Sequence, residues 1–253
     1  MTPYYKNDLI TLYQGDCLEI MPQLDMTFDC CITDLPYGVT KNKWDNLIPF
    51  EQMWNELNRL VKNSGAMIFF GQDKFSAKLM LSNEKYHRYN LIWKKGNRAS
   101  GFLNSKRQPL RNHEDIIFFY REQPTYNPQM IKGNLNHSKG ILKKQKNNCY
   151  GDFNDVQSVM DGLKYPKSVI DFEKPHPQIY PTQKPVELLE YLIKTYTNEN
   201  NIILDFTAGS GTTGIASMNL NRKCVLIEKD INACELIVQR LHNKEKEIQG
   251  RLF

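Results

Sequence analysis

The chain is predicted to fold as an α/β protein, a mostly parallel sheet with helices on both faces. Three observations carry that prediction. Short apolar, β-branched runs recur at residues 9–13, 28–33, 66–70, 89–93, 116–120, 201–206 and 223–227. Amphipathic stretches of helical period lie between or after them, at 50–61, 185–197, 213–220 and about 233–243, and alternating strands and helices are the pattern of a sheet built from crossover connections. A glycine-rich turn joins the strand at 201–206 to the helix that follows it, which is where such sheets meet a ligand.

Each element has a local reason. The strand at 9–13 ends at Gly15-Asp16, and Phe28–Thr33 reads as buried because its apolar run is nearly continuous. In 50–61, Phe50, Met53, Trp54, Leu57, Leu60 and Val61 share one helical face. Asn63-Ser64-Gly65 is expected to end that helix before a third strand at 66–70. From about 121 to 177 the periodicity dissolves into Asn, Gln, Lys, Gly and Pro, and a non-periodic stretch this long is usually functional. Order returns at 185–197, where Pro185 suits a first helical position.

Bulk properties narrow the class. At 253 residues the chain can bury one sizeable core and carry a smaller inserted lobe. With 40% hydrophobic and 24% charged residues it has the composition of a soluble globular protein, and no window approaches the roughly 18 apolar residues of a membrane span. The first residues lack an apolar signal core, so export is not expected and a cytoplasmic location is. Cysteines 17, 30, 31, 149, 224 and 234 form no C-x-x-C pair and no zinc-like spacing, so reduced thiols and no metal are expected. Charge is uneven. Residues 94–147 hold twelve lysines and arginines against three acids, while the rest of the chain is slightly acidic. A positive lobe on such a body suits a polyanion partner.

Two motifs carry chemistry. In F-D-C-C-I-T-D-L-P-Y-G the apolar strand stops at Asp34, and Pro36 and Tyr37 follow at once. A turn explains the proline and Gly38 but neither Asp34 nor Tyr37. The second motif holds Gly209, Gly211 and Gly214 in the spacing G-x-G-x-x-G, and the next strand ends in Glu228, 22 residues after Phe206. Glycines admit close backbone approach, the helix start offers free N–H groups, and an acid at that distance can accept ribose hydroxyls. The pattern suits a nicotinamide dinucleotide or S-adenosylmethionine equally.

The two motifs together resemble a family. Asp34-Leu35-Pro36-Tyr37 is similar to the D/N/S-P-P-Y/F/W motif of amino-directed nucleic-acid methyltransferases. Asp205-Phe206-Thr207-Ala208-Gly209-Ser210-Gly211 resembles their F-x-G-x-G cofactor motif. Tyr180-Pro181-Thr182-Gln183-Lys184-Pro185 resembles the H-P-T-Q-K-P segment before it, and Gln14-Gly15-Asp16 the G-D that precedes the catalytic strand. The catalytic motif comes first, as in the circularly permuted β class. The likeness covers roughly 1–124 and 178–242; it leaves out 125–177, as a variable target-recognition region would be. Leu35 departs from the family's first proline, and Tyr180 stands where histidine is common.

The resemblance implies a Rossmann-like methyltransferase sheet divided into a catalytic half (1–124), an inserted target-recognition region (125–177) and a cofactor half (178–253). It implies methyl transfer from S-adenosylmethionine to adenine N6 of a flipped base in double-stranded DNA. Cytosine N4, RNA adenine and a catalytically inactive nucleic-acid-binding homologue are the rivals. Asp34 and the Leu35 carbonyl would accept the N–H groups of the amine, Pro36 would stiffen the turn and Tyr37 would stack on the base. The cofactor set would be Asp16, Asp34, Thr182, Lys184, Asp205, Phe206, Thr207, Gly209, Ser210, Gly211, Thr212 and Glu228. Within it, Phe206 would pack near the cofactor and residues 209–212 would wrap its methionine part. Thr182 and Lys184 would reach the cofactor's carboxylate or nearby backbone, Glu228 the ribose, and Asp16 the adenine amine. Residues 40–48, with Trp44 and Asp45, suit either a loop covering the flipped base or a segment anchored by Trp44 as an apolar residue, equally; residues 94–111 would track phosphates, and His113 is read as structural. The family also allows a homodimer and a restriction endonuclease partner, neither of which the sequence decides.

Overall fold

The computed structural model describes residues 1–38, 46–133 and 162–250. In chain order the elements are β1 (Tyr5–Lys6), β2 (Ile10–Gln14), α1 (Cys17–Ile20), β3 (Phe28–Thr33), α2 (Phe50–Leu60), β4 (Val61–Gly71), α3 (Asp73–Ser82), β5 (His87–Lys94) and β6 (His113–Phe119). There follow β7 (Ile131–Lys132), β8 (Leu163–Lys164), β9 (Val169–Asp171), α4 (Val186–Tyr196), β10 (Ile202–Asp205), α5 (Thr212–Asn219), β11 (Lys223–Glu228) and α6 (Ile231–Gly250). The chain divides into a main unit, 1–127 with 168–253, and a small unit, 128–167. In the small unit β7 and β8 pair antiparallel.

The main unit is built on one sheet in the order β1-β2-β11-β10-β3-β4-β6-β5-β9. β2, β11, β10, β3 and β4 are mutually parallel. β6 runs against β4 and β5, and β9 lies parallel to β5 at the edge. The central strands are apolar nearly throughout because both faces are covered, and successive side chains enter opposite layers. Ile68 and Phe70 of β4 join Ile116 and Phe118 of β6 in one apolar cluster, beneath Leu188 and Leu192 of α4 and Ile237 and Leu241 of α6. Met67, Phe69, Ile117 and Phe119 point the other way, into Met53, Trp54 and Leu57 of α2 and Leu79 of α3. Layers of helices therefore sandwich the sheet, as the sequence predicts.

Some details differ from expectation. Asn63-Ser64-Gly65 does not separate α2 from β4; the strand begins at Val61, and the pairing jumps from Phe28↔Val61 to Cys30↔Ala66. Lys62, Asn63 and Ser64 form an exposed bulge in the strand, which accommodates extra residues without ending the ladder. Pro185 is the cap of α4 and not its first residue. Helices α1 and α3 carry little sequence signal and are additions. Residues 168–171 belong to the main sheet through β9. Among the described residues no helix is long and apolar enough to cross a membrane, and the cysteines at 17, 30, 31, 224 and 234 are buried and free. Trp44, Asp45 and Cys149 lie outside the described residues.

Candidate active site at the switch point of the sheet

Chain order reverses between β10 and β3: β10 leads through α5 to β11 on one side, and β3 leads through α2 to β4 on the other. At such a point the loops leaving neighbouring strands diverge and open a crevice at their C-terminal ends. A cavity of about 490 Å³ lies there, lined by residues 33–37, 180–184, 205–210 and 228–230 among others. The two sequence motifs, 170 positions apart in the chain, meet because β3 and β10 are adjacent.

Threonine hydroxyls bolt the two strand ends together. The Asp205 carboxylate accepts hydrogen bonds from Thr33 (2.8 Å), Thr213 (2.6 Å) and the Thr207 amide (3.3 Å). Burial pushes its pKa up to about 6, against the pull of those donors. Thr207 in turn donates to the Asp34 carbonyl at 3.0 Å, which fixes the first peptide of the catalytic turn. Leu35 is buried among apolar residues, in the cluster that also holds Phe206 and Phe75. The stiffness that a proline ring would bring is here supplied by packing.

Asp34 sits in a chain of alternating charge. Its Oδ1 accepts the Tyr37 hydroxyl at 3.0 Å, and its Oδ2 pairs with Lys184. Lys184 also lies 3.5 Å from Glu114, which pairs with Lys95. The ammonium group of Lys184 stands 4.8 Å above the Phe70 ring, and that of Lys95 5.3 Å from the Trp93 ring. Burial raises the Asp34 carboxyl above its ordinary value and Glu114 adds to the rise, while Lys184 and Tyr37 hold it back. Burial works the same way on Glu114, but Lys184 and Lys95 overcome it and keep that carboxyl below the usual range. Each Asp34 oxygen has a second lone pair, so each can take one further donor. Tyr37 packs one face on Phe75, with ring centres 4.5 Å apart.

The glycine turn faces this group across the cavity. Gly209 and Gly211 have φ of 52° and 70°. A Cβ on Gly211 would fall 2.8 Å from the Ile237 side chain, so only glycine fits. Arg240 of α6 reaches back to the Ser210 carbonyl, and the Ser210 and Thr212 hydroxyls bond each other at 3.0 Å. Glu228 accepts the Gly209 amide (2.7 Å) and the Asp230 amide (2.8 Å); burial raises its carboxyl despite these donors. The Tyr180 ring covers Gly209, 3.4 Å from where a Cβ would stand, which gives the departure at position 180 a physical role.

Comparisons with known proteins agree with this architecture. The DNA methylase family matches residues 28–239 of the chain. The chain belongs to that family. The Type II methyltransferase M2.MboI of Moraxella bovis is 27% identical over 275 residues, 95% of this chain and 91% of that one. The solved structure of the M1.HpyAVI–SAM complex superposes with a TM-score of 0.63 at 23% identity, covering 92% of this chain and all of the other. The cytosine-N4-specific PvuII DNA methyltransferase superposes with a TM-score of 0.66 at 15% identity, over 90% of this chain and 84% of its own. Both superpositions establish a shared fold. The chain is an S-adenosylmethionine-dependent DNA methyltransferase.

The residues of the methyltransferase suit that cofactor. A cavity of this size holds a nucleoside joined to an amino acid. The left-handed glycine turn leaves backbone without side chains beside it, and Glu228 presents a carboxylate at the end of β11. Several of the expected cofactor residues have other partners here. Asp16 caps α1 through the Leu18 amide (2.9 Å) and pairs with Lys229 at 2.9 Å. Lys184 is turned toward Asp34 and Glu114. Thr182 has φ of 62°, and its exposed hydroxyl donates to the Pro181 carbonyl at 2.6 Å. His113 is exposed at the start of β6. Sequence reasoning missed Glu114 and Lys95. The signal was present: Glu114 shares the parity of Ile116 and Phe118, whose face is buried, and a carboxylate aimed into a core requires a cation.

Proposed function

We propose that this methyltransferase acts on adenine N6 in double-stranded DNA, with Asp34 as the group that receives the target amine. The observation that carries the reading is the Asp34 carboxylate, fixed at the end of β3 on the rim of the cofactor-sized cavity with an aromatic ring beside it. An exocyclic amine is a poor nucleophile because its lone pair is delocalised into the ring. Acceptors for its N–H groups favour the tetrahedral nitrogen that can attack. Asp34 has one open lone pair on each oxygen for that task, and the Leu35 carbonyl, next in the same turn, is the second acceptor. S-adenosylmethionine, when bound, would supply a sulfonium methyl; the amine held by Asp34 and the Leu35 carbonyl would form the N–C bond with its lone pair while the S–C electron pair stays on the departing neutral thioether, and the proton shed by the nitrogen would pass to solvent water.

Positive charge grows on that nitrogen, and a fixed carboxylate beside it stabilises the transition state. Lys184 aims the Asp34 carboxylate and opposes the rise that burial and Glu114 impose on it. Tyr37 offers a base the face opposite Phe75, and stacking there contributes about 1–3 kcal/mol. On the cofactor side, Phe206 and residues 209–212 line the amino-acid end and Glu228 accepts ribose hydroxyls. Asp205 and Thr207 act through the strand ends they hold together, and Thr182 and Asp16 border the cavity.

Finer assignments rest on the same reading. The catalytic strand β3 precedes the glycine turn in the chain, which supports the permuted β arrangement, with 1–124 and 178–253 as its halves. Residues 125–177 would read the target sequence. A cytoplasmic enzyme, working as a homodimer or beside a restriction endonuclease, fits a Type II relative. Sequencing that detects modified bases, applied to DNA from cells expressing the chain, tests the core of the proposal. N6-methyladenine at one short motif is expected. N4-methylcytosine in its place, or label from S-adenosylmethionine entering RNA alone, would refute the assignment.

A further inference from the structure

Residues 95–112, between β5 and β6, form a finger that the cofactor chemistry does not use. Its two feet are clamped by the Lys95–Glu114 ion pair. An antiparallel bridge between Ser100 and Arg111 holds the shaft, with N–O distances of 2.7 and 2.9 Å. Arg111 ties the shaft to Asp73 of α3 at 3.0 Å. Beyond the bridge the backbone turns at Gly101 (φ 91°) into a 3₁₀ turn at Phe102–Asn104. Amides of Asn104, Ser105, Arg107 and Gln108 then bond back to carbonyls of the tip. The tip is thus an ordered structure held by its own hydrogen bonds.

What it displays is unusual for a surface facing only water. Phe102 is 68% exposed and Leu103 fully so. Large apolar side chains at a tip pinned by backbone bonds gain nothing where they stand. The charge around them names a partner: residues 95–111 contain no acid, and beside Lys95 and Arg111, which are paired with Glu114 and Asp73, they expose Arg98, Lys106 and Arg107. Position points the same way. β5 runs in the direction of β3 and β4, so the finger leaves the sheet at the edge where Asp34 lies. Its foot, Glu114, shares Lys184 with Asp34.

We infer that Phe102 and Leu103 are a wedge that enters duplex DNA and fills the space left in the base stack by the extruded target nucleotide. Arg98, Lys106 and Arg107 seat the finger on the flanking phosphates. Apolar side chains inserted between base steps are a general means of holding DNA unstacked, and a duplex target must leave the stack before chemistry. The inference rests on the duplex-adenine reading above.

The test compares the wild-type chain with a Phe102→Ala/Leu103→Ala double variant on two duplexes carrying the motif found by sequencing. In one, thymine faces the target adenine; in the other, an abasic site does, so that extrusion needs little help. Single-turnover methyl transfer should fall about 10- to 100-fold for the variant on the paired duplex, and come within about 3-fold of wild type on the abasic one. Cofactor binding by thermal shift should be unchanged, because the tip is solvent-exposed. Equal losses on both duplexes, or none on either, overturn the wedge. So does a loss that accompanies conversion of a dimer to a monomer in size-exclusion chromatography, which would make the tip a contact between copies. If the wild-type chain methylates neither duplex, the duplex-adenine reading itself falls and the wedge with it.

Discussion

Replacing Lys184 by methionine removes the cation shared by Asp34 and Glu114 while keeping most of its volume. The Lys184 side chain is 9% exposed, and the two carboxylates are 25% and 14% exposed. Removing one partner of a buried pair costs about 3–5 kcal/mol. Solvent at Asp34 screens part of this, so about 3 kcal/mol is expected at neutral pH, or about 6–12 °C in melting temperature for a chain of this size. The deficit should depend on pH. Without Lys184, Asp34 loses its cation while Glu114 keeps Lys95, so the Asp34 carboxyl, already raised by burial and by Glu114, rises further above its unfolded value and Glu114 loses part of what holds it down. A carboxyl raised in this way stabilises the fold below its unfolded pKa and loses that contribution as pH climbs. In the wild type Glu114 lies below its ordinary value, so its contribution runs the other way and is lost as pH falls. The two curves should therefore converge toward about pH 4 and separate by about pH 7. Urea denaturation of both proteins at several pH values, with methyl transfer measured alongside, tests this. A deficit below about 1 kcal/mol at neutral pH, or one of equal size throughout, would refute the shared-cation account.

Three further outcomes follow from the site. Asp205, raised to about 6 by burial, favours the fold below about pH 4 and loses that contribution as pH rises through about 6; Asp205→Asn should flatten this limb of the stability curve by about 3 kcal/mol, read from denaturation midpoints. Gly211→Ala must hold a Cβ at φ 70° against Ile237, and should cost about 1–3 kcal/mol and weaken cofactor binding in a thermal-shift titration. Tyr37→Phe retains the stack on Phe75 and loses the bond to Asp34, whereas Tyr37→Ala loses both. The alanine variant should bind target DNA about 10-fold or more weakly with the phenylalanine variant near wild type, and equal losses would show that the hydroxyl matters and the ring does not.

Legibility in the sequence followed the range of the interaction. Strands such as Phe28–Thr33 and helices such as α2 announce themselves, because burial on a repeating face writes a period into neighbouring residues. The motif around Asp34 and the turn at Gly209 and Gly211 were equally readable, since each depends on adjacent residues. Lys184 was recognised as part of the site, but its partner was not. An ammonium group reaching 150 positions back to Asp34 leaves no local trace. Helix α3 was overlooked because its ten residues carry only a weak apolar stripe.

Sequence alone, then, determined the class of sheet, the order of its motifs and the chemistry those motifs can carry, because these reside in short-range patterns of side-chain type. Tertiary structure decided what surrounds Asp34. It brought Thr207 to the Asp34 carbonyl, buried Leu35 where a proline was expected, set Tyr180 over Gly209, and drew Glu114 and Lys95 into the charge chain. The physical reason is that a charge inside a protein is governed by whichever groups the fold places within a few ångströms, and strand order, not chain order, chooses those neighbours.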